Sequence, residues 1–260
     1  METLSAIAGG EVGQLQHTCH KVALTEAEAE YHVSCVKHIF SEHVAMEFIV
    51  TNTIEDMTLT DIRVVLEPDS PGAASLAHLG DAHIEELSHG QSASCYSVFQ
   101  KSEAAPNATW KATLVFVDDG AEDDYVLEPL ELGRGDYINP YVLPPGQFAT
   151  KWEAMSEGAS GATQGGLPCT TLPEGINALV TTMHMGPCDN TNQVAPDAVK
   201  CVLQLAGTYI GGYQVLVMAQ IGAMQGQCKF RMQIRVQHRG ANQDAEANQA
   251  VVQAIIGSLQ

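Results

Sequence analysis

Cysteine and histidine are the residues of this chain best suited to chemistry, and their spacing gives that chemistry little support. The seven cysteines are scattered and none stands in a C-x-x-C pair. They are Cys19, Cys35, Cys95, Cys169, Cys188, Cys201 and Cys228. An odd, scattered set is typical of reduced thiols rather than of a disulfide framework. His17, Cys19 and His20 suggest a zinc site, but no second ligand pair follows at a zinc spacing. We therefore predict neither a metal site nor a cofactor.

Two other stretches invite a ligand. The acidic run at residues 118–124 lacks the alternating ligands of a calcium-binding EF-hand loop, so we interpret it as a solvated hairpin tip. The glycine-rich run at residues 158–166 lacks the Gly-Lys-Ser/Thr ending of a phosphate-binding loop, and we interpret it as a flexible loop. No protease or hydrolase motif is present, so we predict a protein that is not an enzyme. The alternative is a thiol-dependent enzyme, which would need a thiolate of lowered pKa.

Charge divides the chain into two parts. Of its 260 residues, those at 1–147 include 24 acidic and 6 basic ones, whereas those at 148–260 include 7 acidic and 6 basic ones. The net charge of −19 argues against nucleic acid or an anionic membrane as a direct partner. Because no apolar run approaches 18 residues, we expect membrane association only through other proteins. The composition predicts a cytoplasmic protein of two domains.

The acidic part reads as short alternating strands. Val44, Met46, Phe48 and Val50 alternate with polar or smaller residues, and Trp110 alternates in the same way with Leu114 and Phe116. Six or seven such strands separated by turns indicate an immunoglobulin-like β-sandwich at residues 21–147, with Trp110 in its core. Residues 1–20 show no sustained period and contain a Gly-Gly pair, so we predict a hinge or linker there.

The remaining residues, 148–260, mix strands with helices. A helix is predicted at residues 173–185, and Gly211-Gly212 indicates a hairpin. Alternation predicts a further strand, and a final helix follows with Asn242 as its N-cap. We therefore predict an α+β domain that starts at Phe148.

One candidate binding site emerges in this second domain. Trp152 lies in a polar run, four residues after Phe148, so on a helix the two rings would share a face and are expected to be exposed. An exposed tryptophan is typical of interface hot spots. Lys229, Arg231 and Arg235 lie on one side of the alternating strand, which is either a solvated face or a binding face.

Several segments together resemble the gamma-coatomer appendage. They are Leu24-Thr25-Glu26, Val36 to Phe40, Thr51-Asn52-Thr53, the run from Glu122 to Glu128 with Leu130-Glu131, Phe148-x-x-x-Trp152-Glu153, and Leu205-Ala206-Gly207 with Gly211-Gly212. The resemblance covers about residue 21 to the end. It implies a mixed β and α+β fold, with an immunoglobulin-like β-sandwich followed by an α+β platform subdomain, as in clathrin adaptor appendages.

The resemblance also implies a function. The chain would be a protein-interaction appendage of coat protein complex I (COPI), peripheral on Golgi membranes and coated vesicles, and joined to other coatomer subunits through its parent chain. It would recruit GTPase-activating proteins for the small GTPase Arf through short motifs that dock at Trp152, beside Phe148. The alternative is a clathrin-type adaptor appendage that binds endocytic accessory proteins.

The basic half of the implied site departs from the family pattern. The family carries arginines at positions matched here by Met218 and Gln220, and another near Gln237. Either Arg231 and Arg235 supply that charge from adjacent positions, with Lys229 beside them, or the pocket takes a less acidic ligand.

Overall fold

The chain folds as two units that divide between Gly133 and Arg134 in a computed structural model. The structure describes residues 2–101, 106–156, 158–195, 197–224, 226–240, 244–257 and 259. The division lies earlier than the predicted boundary between 147 and 148. Ile138 pairs with Tyr209, and the Tyr141 N–H donates to the Ala206 carbonyl, so this stretch belongs to the second sheet. The charge step fits either boundary, because residues 134–147 include one acidic residue, Asp136, and one basic residue, Arg134.

Two packed sheets form the first unit. Its helices are α1 (Glu2–Ala8) and α2 (Pro71–Ala74), and its strands are β1 (Leu15–Thr18), β2 (Val22–Ala23), β3 (Tyr31–Phe40), β4 (His43–Asn52), β5 (Thr58–Pro68), β6 (Ala77–Ala82), β7 (Ile84–Ser88), β8 (Ser92–Gln100), β9 (Ala108–Asp118), β10 (Ala121–Val126) and β11 (Leu130–Leu132). One sheet has the order β1-β3-β4-β8-β6, with β2 also on β3, and the other has the order β10-β9-β5-β7, with β11 also on β9. All these pairings are antiparallel.

Aromatic contacts join the two sheets. Tyr31 of β3 lies 5.0 Å from Phe116 of β9, and Phe99 of β8 lies 5.5 Å from Trp110 of β9, measured between ring centroids. Trp110 is fully buried, as predicted from its alternation. The architecture is an immunoglobulin-like sandwich. The acidic run forms the β9–β10 hairpin, where Asp119 and Gly120 take the positive φ that a tight turn requires.

The prediction of a linker at residues 1–20 was wrong. Helix α1 places Leu4 in a cluster with Phe40 and Val98, and Val12 is buried in the same cluster. Strand β1 pairs with β3, and the His43 ring bonds the Val12 carbonyl at 2.9 Å. The segment therefore covers one outer face of the first sheet, although its few apolar residues gave no visible period.

The second unit contains one antiparallel sheet. A 3₁₀ turn (Arg134–Tyr137) leads into β12 (Ile138–Pro140), α3 (Phe148–Ala154), β13 (Ala159–Leu167), α4 (Leu172–Met183), β14 (Gly186–Pro187), β15 (Lys200–Tyr209), β16 (Tyr213–Met224), β17 (Gln227–His238) and α5 (Ala245–Gly257). The strand order is β12-β15-β16-β17-β13, with β14 also on β15. The predicted hairpin is confirmed, since Gly211 and Gly212 join β15 to β16 with positive φ.

The glycine-rich stretch was predicted wrongly as a loop. It forms β13, which pairs with β17 residue by residue from Ala159 to Leu167. Gly161 is needed there because an added Cβ would lie 2.5 Å from the Val252 Cγ1 of α5. Gly161 thus permits close packing of α5 against β13.

Helices cover the two faces of the sheet differently. Helix α4 starts with a capping box between Thr171 and Glu174, and both α4 and α5 pack on one face. Helix α3 packs on the other face, against Ala206 and Leu216. The predicted N-cap Asn242 lies outside the described residues. Asp244 Oδ1 accepts hydrogen bonds from the first turn of α5.

Candidate functional site

Helix α3 brings Phe148 and Trp152 together, as their spacing predicts. The rings are stacked, with 5.7 Å between centroids and 19° between planes. The expectation that they are exposed was wrong: Phe148 is 0% exposed and Trp152 is 8% exposed. Leu143, Ala206 and Leu216 belong to the same cluster, so the aromatic pair fixes α3 to the sheet.

Arg235 covers Trp152 from the neighbouring strand. Its guanidinium carbon lies 4.4 Å from the Trp152 ring centroid, and its Nη1 donates to the Trp152 main-chain carbonyl. This is a cation–π contact reinforced by a hydrogen bond. We call Phe148, Trp152 and Arg235 the Trp152 cluster. The structure therefore unites three of the five predicted site residues, although the tryptophan offers only a narrow exposed edge.

Two cations lie near a second aromatic ring, that of Tyr141, beside α3. The Lys151 ammonium lies 6.0 Å and the Arg239 guanidinium carbon 5.4 Å from the Tyr141 ring centroid. Arg239 also donates to the Thr208 hydroxyl at 3.2 Å. Sequence reasoning missed Tyr141 and Arg239 as site residues. No local pattern reveals them, since the sheet brings the residue after β12 beside the residue after β17.

The other two predicted residues lie farther along the same sheet face. Arg231 and Arg235 are four residues apart on β17, which is about 13 Å along a strand. Lys229 and Arg231 are exposed and line a groove of about 1080 Å³. Its walls and floor come from Gln164, Gly165, Gly166, Lys200, Cys201, Val202, Gln220, Ile221, Gly222, Gln227, Lys229, Phe230 and Arg231. We call it the cationic groove.

The charged side chains among the described lining residues of the cationic groove are all basic. It holds Lys200, Lys229 and Arg231, and none of its described lining residues is acidic. No described carboxylate forms an ion pair with these three cations. In a chain of net charge −19, this leaves a local positive field in which a carboxylate is favoured.

The strand register clarifies the departure from the family pattern. Arg231 lies directly opposite Gln220, and Gln233 lies opposite Met218. Opposed residues on paired strands project from the same face. Arg231 therefore presents a guanidinium beside Gln220, where the resemblance to the family implied an arginine.

Comparison with known proteins assigns the family. A family model described as the coatomer gamma subunit appendage platform subdomain matches residues 1–133, and one described as the coatomer subunit gamma-1 C-terminal appendage platform matches residues 135–255. The chain belongs to the coatomer gamma appendage family. The boundary between the two matches coincides with the division of the structure into two units.

Curated coatomer gamma subunits resemble this appendage along most of its length. It is 34% identical to coatomer subunit gamma-2 of Danio rerio over 86% of the chain, 31% identical to that of Homo sapiens over 88%, and 33% identical to coatomer subunit gamma of Arabidopsis thaliana over 81%. These matches cover 27%, 27% and 25% of the respective relatives, so the chain spans about a quarter of their length. Among solved structures, a yeast GGA1 GAE domain matches 43% of the chain and 97% of its own length, at 8% identity and a TM-score of 0.32.

The coatomer gamma appendage family consists of coat interaction modules rather than enzymes. Four of the seven cysteines of this appendage carry thiols whose pKa is shifted away from activation. Burial raises the pKa of the Cys95 thiol to about 12, and burial also raises the pKa of the Cys188, Cys201 and Cys228 thiols. A catalytic thiol needs the opposite shift.

The described part of the appendage offers neither a cluster of metal ligands nor a helix that could span a membrane. There, no three or more His, Cys, Asp and Glu side chains cluster in a way that could hold a metal ion. None of the described helices is long and apolar enough to span a membrane.

Proposed function

We propose that this appendage recruits Arf GTPase-activating proteins and other regulators to the COPI coat. Short motifs of these partners bind the face of the second sheet on which α3 lies, with the Trp152 cluster at one end and the cationic groove at the other. The parent chain links the appendage to other coatomer subunits. Its place is then peripheral, on Golgi membranes and COPI-coated vesicles, with membrane contact made only through the coat.

The observation that carries this proposal is the concentration of three cations in the cationic groove, none of which forms an ion pair with a described carboxylate. Carboxylates of the second unit compete little with a ligand for these cations, because the groove is lined by Lys200, Lys229 and Arg231 and by no described carboxylate. Acidic residues flanking a ligand motif would be attracted to this field. Val202, 46% exposed, adds an apolar contact on the groove floor.

The role of Trp152 differs from that of an exposed anchor. Its ring is largely covered by Phe148 and Arg235, so it holds the guanidinium in place on the sheet face. The half-buried Arg235 then offers its remaining donors to a ligand carboxylate. Trp152 contributes the narrow edge left at the surface.

Charge reversal tests the site without touching the core. The probe is a fluorescently labelled non-catalytic segment of an Arf GTPase-activating protein, and the readout is fluorescence anisotropy. Replacing Lys229 and Arg231 by glutamate should weaken binding about tenfold and flatten its salt dependence. The matched control replaces Lys21 and Lys111, exposed cations of the first unit, by glutamate and gives the same net charge.

The outcome separates the proposed role from its rival. Equal binding by the groove variant and the control would place the site elsewhere. Preference for endocytic accessory proteins over the Arf GTPase-activating protein segment would instead favour the clathrin-type adaptor function. Micromolar affinity is the expected range for short motifs of this kind.

A further inference from the structure

Strand β13 is an open edge of the second sheet. It pairs with β17 along all nine of its residues, and it ends the strand order on that side. In the described part of the chain, no other strand or backbone group pairs with its second edge. About half of its N–H and C=O groups therefore point away from the sheet, where another strand can pair with them.

This edge lacks the sequence features that usually block an added strand. Natural edge strands are protected by charged side chains, prolines, bulges or short length. Strand β13 has the sequence Ala-Ser-Gly-Ala-Thr-Gln-Gly-Gly-Leu, with no charge and no proline, and its register with β17 is continuous. The strand carries no side chain at Gly161, Gly165 and Gly166.

The cationic groove reaches this edge. Gln164 lies opposite Arg231 and Gly166 lies opposite Lys229, so each pair faces the groove. An added strand would run about 5 Å from β13 and about 10 Å from β17. Because Gly166 has no side chain, a glutamate on the added strand can extend across it toward Lys229.

These features together identify the occupant. We propose that the free edge of β13 binds an extended acidic segment of a partner protein as an additional antiparallel or parallel strand. Carboxylates at every second residue point into the cationic groove, and the backbone hydrogen bonds supply affinity that does not depend on sequence. The inference rests on the proposed function, since it specifies how a recruited partner engages the same sheet face.

Charge favours a partner peptide over a second copy of the appendage. Pairing of β13 with a symmetry-related β13 would bring two cationic grooves onto one continuous sheet face. Their like charges would repel each other, whereas an acidic strand neutralises them. The intervening side chains of the ligand face the side of α5, where Ile256 is half-buried under Gly161. Small or β-branched residues suit these positions.

The test uses a capped ten-residue peptide that alternates glutamate with threonine, bound to the whole chain. Anisotropy should show saturable binding that falls about tenfold when Lys229 and Arg231 are replaced by glutamate. Amide hydrogen exchange, read residue by residue by NMR, should slow at alternate positions of β13. Two control peptides should bind more weakly: one with its glutamates in blocks, and one methylated at alternate backbone nitrogens.

Two results would overturn the inference. The first is that amide hydrogen exchange along β13 does not change when the peptide is added, whether or not the peptide binds. The second is protection of β13 that depends on protein concentration without peptide, which indicates self-association. The Arf GTPase-activating protein segment separates this inference from the proposed function. If that segment binds and leaves β13 exchange unchanged, recruitment stands and strand addition fails. If the acidic peptide protects β13 while that segment does not bind, the recruitment proposal fails instead.

Discussion

The guanidinium of Arg235 lies over the ring of Trp152, 4.4 Å from its centroid, and donates to the main-chain carbonyl of the same residue. One side chain thus binds both the ring and the backbone of helix α3. Phe148 stacks on the same ring. The contact places a cation on the sheet face while it removes the tryptophan from water. The interactions that hold α3 on the sheet are therefore also those that form the site.

Tryptophan fluorescence should report two protected residues. Trp110 is 0% exposed and Trp152 is 8% exposed, so emission of the native protein should be blue-shifted and iodide should quench it weakly. The same protein unfolded in guanidinium is the control and should be red-shifted and fully quenchable. Comparison with Trp152→Phe assigns the signal. A quenchable, red-shifted Trp152 component would contradict the packing of α3 against Ala206 and Leu216.

Removal of the Trp152 ring should destabilise the fold. Trp152→Ala leaves a cavity beside Phe148 and Leu216, and buried tryptophan-to-alanine changes typically cost about 3–5 kcal/mol in free energy of unfolding. Trp152→Phe keeps an aromatic ring over Phe148 and should cost less. Urea denaturation of the two variants measures the difference. If Trp152→Ala has the same free energy of unfolding as the unmodified chain, α3 is not anchored through this ring.

The sequence predicted those elements whose pattern is local. Alternation in β17 predicts both its exposed cations and its buried residues, from Phe230 to Val236, and both appear in the structure. The i to i+4 spacing predicts that Phe148 and Trp152 share a face. Such features depend only on the geometry of one element.

The features that sequence reasoning missed depend on packing between distant segments. Burial of Trp152 requires Ala206 and Leu216, which reach it only when the sheet is assembled. Strand β13 contains three glycines, which ordinarily indicate a loop, and Gly161 is explained only by Val252 of α5. Lys200 joins the cationic groove because β15 and β16 bring it to the same end of the sheet as Lys229.

The glycine at position 161 should resist substitution. A Cβ there would lie 2.5 Å from Val252 Cγ1 and 2.9 Å from Ile256 Cδ1, so Gly161→Ala should force α5 away from the sheet. Overpacking of this kind typically costs about 1–3 kcal/mol. Gly222→Ala is the matched control in β16, because its Cβ would meet only the Val199 carbonyl at 3.8 Å. Thermal unfolding of both variants measures the effect, and equal midpoints would show that α5 does not press on β13.

Glu47 on the outer face of the first sheet should make stability depend on pH. Burial raises the pKa of its carboxyl, but hydrogen bonds from His38, Ser94 and Tyr96 together outweigh this effect and hold the pKa below its ordinary value of 4.5. The distances to these donors are 3.0, 2.8 and 3.0 Å. A lowered folded-state pKa means that the ionised carboxyl stabilises the fold above the unfolded-state value and loses that contribution as pH falls through the folded-state value.

Glu47→Gln removes this linkage and supplies the measurement. The free energy of unfolding of the unmodified chain should exceed that of Glu47→Gln at about pH 7, and the gap should close as pH falls below 4.5 and through the lowered folded-state pKa. Glu28→Gln, which changes an exposed carboxylate before β3, controls for the loss of one charge. Urea denaturation at each pH gives the three curves. A gap for Glu47→Gln that stays constant down to the lowest pH would show that the carboxylate is not stabilised by its three donors, since only an ionisation-linked contribution disappears on protonation.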